Sequence, residues 1–198
     1  MVSALQISRA IREPGYRPPG PGSAPPPPFL TKPTTVARAA VRAYHRSGAG
    51  AATSYLAGSL GGWLDHPNKS MAGNARNTLD GLANYISADR EDGRATRTLD
   101  TNTAVTLAAG DVKVRFDLVL NDGSGVAGRV VLWDGPDFSD KDAPVIAAIY
   151  AQALTALHPA TTATTIGIWQ ARRGHVMEIP VAAALQRLPT ANAVLARL

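Results

Sequence analysis

Lys113–Gly135 reads KVRFDLVLNDGSGVAGRVVLWDG, and its pattern decides the fold. Val112, Val114, Phe116, Leu118 and Leu120 alternate without a break, the period of a half-buried strand. Lys113, Arg115 and Asp117 fall on the other face of that strand. Asn121-Asp122-Gly123-Ser124-Gly125 supplies hairpin-turn chemistry. A second strand, Val126–Trp133, stops at Asp134-Gly135-Pro136-Asp137. On the N-terminal side, Val105 and Leu107 alternate with small or polar residues up to the turn Ala109-Gly110-Asp111. The three strands make an antiparallel meander.

Reading outward, Ala143–Leu157 is a helix with Asp142 as its N-cap and Pro144 in its first turn. Thr164–Ala171 is the next strand, Arg172-Arg173-Gly174-His175 a turn, and Val176–Pro180 a returning strand. Val181–Leu188 and Asn192–Leu198 close the chain as short helices. Before the meander, helices are expected from Thr34 or Thr35 to Arg46, over Thr53–Leu64 and over Arg76–Asp89. Residues 65–74 read as a loop and 90–98 as a charged connection. The expected class is an α/β (α+β) sandwich. One domain covers residues 34–198, with a helical part at 34–97 and an α/β core at 98–198. Residues 1–33 hold nine of the fifteen prolines and read as a disordered, proline-rich tail acting as a spacer.

The chain has 198 residues and a net charge of +5, and it has no Cys. Disulfide scaffolds, Cys-ligated metals and thiol nucleophiles are therefore excluded. No apolar run reaches the length of a membrane span, and the first residues lack a signal-peptide core. A cytoplasmic location is expected. The charge is uneven: residues 1–33 carry +3, residues 34–97 another +3, and residues 98–198 carry −1. In the first expected helix, Arg38, Arg42, His45 and Arg46 share one face. They make either a solvated face or a ridge for phosphates. Arg172 and Arg173, in a short basic turn, are the other candidate phosphate contacts. The His residues form no i, i+4 pair, and no phosphate-binding Gly loop or nucleophile elbow is present.

The order of elements resembles the PD-(D/E)XK nuclease superfamily, most closely its RecB-type branch. The resemblance covers residues 99–180 and implies a restriction-endonuclease-like core. That core has a meander, a helix and a returning hairpin, preceded by a helical segment. In VRFDLVL, Asp117 falls where the family has its metal-binding Asp. In RVVLWDG, Leu132 stands at the second acid and Asp134 at the Lys. In VIAAIYAQAL, Tyr150 falls at the Tyr of the Gln-x-x-x-Tyr motif and Ile146 at the Gln. Asp100, in RTLDTNT, is the counterpart of an upstream acid.

The expected function follows from those departures. The chain reads as a catalytically inactive nuclease-fold subunit that binds nucleic acid or scaffolds a DNA-processing or defence complex. It needs no cofactor, and a protein partner is expected. One alternative is a protein-interaction adaptor with no nucleic-acid role. Another is a Mg²⁺-dependent nuclease with a rearranged site. There Asp117, Asp134 and Asp137 would hold the metal, and Asp117, Asp134 and Lys141 would carry catalysis.

Overall fold

The computed structural model describes residues 1–13, 15–20, 28–123, 125–133, 139–140 and 142–198. Six strands and six helices are found among them. In chain order they are β1 (Val2–Ser3), α1 (Ala4–Arg12), α2 (Pro28–Leu64), α3 (Lys69–Asp92), β2 (Thr96–Leu107), β3 (Gly110–Asp122), β4 (Gly125–Leu132), α4 (Ala143–Leu157), β5 (Ala163–Gln170), β6 (His175–Pro180), α5 (Val181–Leu185) and α6 (Leu188–Leu195). The strands form one mixed sheet with an apolar core on each face. α1, α4, α5 and α6 cover one face, and α2 and α3 cover the other. No helix among the described residues is long and apolar enough to cross a membrane.

The meander is present: β2 pairs antiparallel with β3, and β3 antiparallel with β4. α4 carries the chain over to β5, which lies parallel to β4, and β6 returns antiparallel. This is the mixed α/β sandwich that the periodicity predicts. The unbroken alternation on β3 does not hold, however. Val112, Val114 and Phe116 enter the α4 core, whereas Leu118 and Leu120 enter the α2/α3 core. The strand changes faces around Asp117.

Residues 1–12 correct the expectation of a disordered tail. β1 adds to the sheet through Val2↔Val112 and Ser3↔Lys113, parallel to β3. Ser3 and Gln6 then form a capping box: the Ser3 hydroxyl accepts from the Gln6 amide, and the Ser3 amide donates to Gln6 Oε1 at 2.8 Å. Ala4 and Ile7 are buried in the α4 core. The prolines dominate the composition of the segment, but they start at Pro14, beyond this helix. Residues 21–27, including Pro25–Pro27, lie outside the described residues.

Other boundaries shift as well. α2 starts earlier, at Pro28, and the break expected between Arg46 and Thr53 is a kink at Gly48, whose positive φ of 84° glycine tolerates. α3 starts seven residues early, because the Asn68 side chain caps it by accepting from Ser70 and Met71 amides. β2 also starts early, inside the expected charged connection. Asp142 does not cap α4 with its side chain. Its carboxylate instead accepts from the Ser139 hydroxyl at 2.7 Å.

One buried cluster fixes the α2/α3 layer to the sheet. Arg129 of β4 is fully buried, and its guanidinium lies 3.5 Å from the centroid of the Trp169 ring. It pairs with Asp89 and Asp92 of α3 and donates to the Tyr85 hydroxyl at 3.4 Å. His45 of α2 bridges the Tyr85 hydroxyl (2.8 Å) and the Thr96 hydroxyl (3.1 Å). It is therefore a buried tie and no part of a solvated ridge.

Two expectations follow. Ile7→Ala should lower stability by about 2–5 kcal/mol in denaturant titration, as for a core residue. A change within about 0.5 kcal/mol would return residues 1–12 to the status of a tail. The second concerns pH. Burial and the Arg129 charge hold the His45 imidazole below its ordinary 6.5, and Asp89 only partly offsets them. The unfolded chain then binds more protons than the folded chain just below pH 6.5. Stability is full above that pH and falls as pH drops. His45→Gln should flatten the fall in denaturation midpoint between pH 7 and 5, and parallel curves would overturn this.

Candidate functional site

β3 shares one edge between two partners. β1 pairs with Val112 and Lys113, and β4 pairs from Leu118 onward. Val114–Asp117 have no strand partner on that edge among the described residues, so the sheet splits there. Asp117 bridges the split: its Oδ2 accepts the Val131 amide at 2.8 Å. The bond stands in for the ladder hydrogen bond that β3 and β4 no longer make.

Across the β2–β3 pair, Leu99↔Leu118 and Thr101↔Phe116 place Asp100 opposite Asp117. Asp100 has φ 54° and is the one non-glycine residue with positive φ among the described residues. Asp is among the few residue types that tolerate this conformation. The two facing carboxylates are held by three guanidiniums. Arg38 Nε lies 3.7 Å from Asp117 Oδ1, Arg42 Nη1 lies 3.1 Å from Asp100 Oδ2, and Arg115 Nε lies 2.6 Å from Asp100 Oδ1. Burial pushes the Asp117 carboxyl above the ordinary carboxylate range, and the Arg38 charge, the Val131 amide and Arg115 work against it.

A cavity of about 610 Å³ opens at the split. Val114, Val130 and Tyr150 contribute its apolar wall, and Lys113, Arg115 and Arg38 contribute cations. Met1, Ser3 and Ala4 border it through β1 and the start of α1. Tyr150 is 1% exposed and packs edge-on against Phe116. Burial first, and then the Asp117 charge, push its hydroxyl pKa upward.

The structure thus brings together some of the residues expected from the sequence. Asp117, Tyr150 and Arg38 line the cavity, and Arg42 lies behind it on Asp100. Arg38 and Arg42 do not form a solvated ridge, because both turn toward the acids of the sheet. Arg46 is exposed on α2 and does not line the cavity. Arg172 and Arg173 are exposed on a one-turn helix, Ala171–Arg173, packed against α3; there Asn84 donates to the Ala171 carbonyl at 3.3 Å. They do not join the cavity either. Lys113 and Arg115 are cavity residues to which the sequence reading gave no role. Their signal was the i, i+2, i+4 spacing that puts them on one face with Asp117.

The described residues do not fit a magnesium ion. Both Asp117 oxygens face partners, Asp100 is held by two arginines, and no three His, Asp or Glu side chains among the described residues could hold a metal. Leu132 and Ile146, which the resemblance aligns with a second acid and a Gln, both pack in the apolar core. Asp134, Asp137 and Lys141 lie outside the described residues.

No family model and no curated protein matches the chain. It is similar to a solved structure described as "Crystal structure of SSO0001", with 14% identity over 96% of this chain and 84% of that one, at a TM-score of 0.31.

Proposed function

We propose that the chain is a non-cleaving, nuclease-fold subunit that binds nucleic acid at the split in the sheet, within a larger DNA-processing or defence assembly. The observation that carries this reading is the ring of charge at the cavity. Arg38, Lys113 and Arg115 line it with the Asp117 carboxylate, and the Arg42–Asp100 pair lies behind them. Three of the cations hold acids already, and Lys113 is exposed at the rim, where a phosphate can reach it. The restriction-endonuclease-like reading of the core draws support from the same place: the two residues aligned with the family's motifs, Asp117 and Tyr150, line one cavity. The chemistry of hydrolysis draws none, since Leu132 and Ile146 fill apolar positions.

The test is binding to a labelled oligonucleotide across a salt series. Binding should weaken with salt, and Lys113→Glu should weaken it roughly three- to tenfold at low salt and lower the salt slope by about one. No binding at low salt, or binding indifferent to Lys113→Glu, sinks the reading. Mg²⁺-dependent cleavage that disappears in Asp117→Asn would replace it with an active nuclease.

A further inference from the structure

We infer that the cavity at the split holds a single unpaired nucleotide, its base against Val114, Val130 and Tyr150 and its phosphate on Lys113. The inference rests on the nucleic-acid reading above and specifies what enters the site.

Three observations meet here. The first is size: about 610 Å³ falls within the roughly 300–1,000 Å³ of small-ligand sites. A base stacked inside a duplex cannot reach such a recess, whereas an unpaired base can be splayed into it. The second is the lining: Val114, Val130 and Tyr150 are buried, Lys113 is exposed, and the one acid, Asp117, is paired with Arg38. The third is the Tyr150 hydroxyl. The side chain is 1% exposed and lines the cavity, yet its hydroxyl makes no hydrogen bond among the described residues. At the cavity wall that hydroxyl is open to pair with the polar edge of a base, as donor or acceptor. Asn102, exposed and lining the same cavity, donates from Nδ2 to the Asp100 carbonyl at 3.3 Å and keeps its Oδ1 and a second N–H for that edge.

The open edge of β3 explains why the recess exists at all. Filling it would require β1 to continue past Ser3, but the capping box starts α1 at Ala4 and turns the chain away. The cavity is therefore bounded by backbone that the Ser3–Gln6 pair holds in place.

The experiment compares three probes with the full chain: a blunt duplex, the same duplex with a short single-stranded overhang, and a single strand. Fluorescence anisotropy should show the overhang and the single strand binding at least tenfold more tightly than the blunt duplex. Tyr150→Phe removes only the hydroxyl and should cut that preference at least threefold. A 5-iodouracil in the unpaired position should photocrosslink to the peptide carrying Tyr150, Val114 or Met1. Titration with a nucleoside monophosphate separates the sources. Saturable binding of the monophosphate that Tyr150→Phe weakens, without a single-strand preference, assigns the cavity to free nucleotide. Equal binding of blunt and overhanging duplexes, with crosslinks elsewhere and no monophosphate binding, overturns the inference and leaves the nucleic-acid reading standing. Failure to bind any probe at low salt overturns both.

Discussion

The burial of Arg129 is the constraint on which the rest of the architecture depends. A guanidinium taken wholly out of water loses several kcal/mol of hydration, so its surroundings must replace that solvation. Two carboxylates and a hydroxyl do so at its terminal nitrogens and the face of Trp169 over the group, while Nε has no hydrogen-bond partner. Both carboxylates belong to α3, three residues apart on one helix face, so satisfying Arg129 seats α3 on the sheet. Tyr85 and His45 then extend the network to α2. α2 in turn carries Arg38 and Arg42 to the acids at the split. An alternative packing of the helical layer would leave a buried cation without its partners, a penalty that excludes it.

That chain of contacts changes what the charge distribution means. The helical part carries +3 and the α/β core −1, which in sequence suggests a basic front end beside a neutral fold. In space the two parts interlock. Arg38 and Arg42 leave their helix to neutralise Asp117 and Asp100 of the core, and Asp89 and Asp92 of the helix neutralise Arg129 of the core. Part of the basic excess is internal counter-charge, screened little by salt because it is half-buried or buried. The cation left facing outward at the cavity is Lys113, which the sequence alternation places on the exposed face of β3.

The fold was legible where the signal is local. Period-two alternation, Gly-rich turns and the Pro near the start of α4 located β2 to β6 and α4, and the sheet confirms their pairing. The start of α3 leaves no such signal, because Asn68 lies in a stretch rich in small and polar residues and capping by a side chain is invisible to hydrophobic periodicity. Residues 1–12 are hidden in the composition of residues 1–33, whose prolines begin only at residue 14. The site was half legible. Asp117 and Tyr150 were found through their motif positions, whereas the roles of Arg38 and Arg42 depended on contacts 79 and 58 positions away along the chain. No local pattern encodes such contacts. The change of faces in β3 was also hidden, because a strand buried on both sides shows the same run of apolar residues whichever face each one takes.

Asp117 shows how a residue type suited to metal chemistry can serve the fold. Splitting a sheet leaves an amide without a ladder partner, and an unmet buried amide costs about 1–3 kcal/mol. At the β3–β4 split that amide is Val131, and the Asp117 carboxylate accepts it. A carboxylate does this better than an amide or hydroxyl, because a charged acceptor strengthens the bond. Its charge must then be met in turn, and Arg38 supplies that from α2. Asp117 is thus bound from the sheet side by an amide and from the helix side by a guanidinium. Recruiting it to a metal would require releasing a buried amide and separating Asp117 from Arg38. The geometry that makes the split possible is therefore also what commits both oxygens of its acid to partners within the fold.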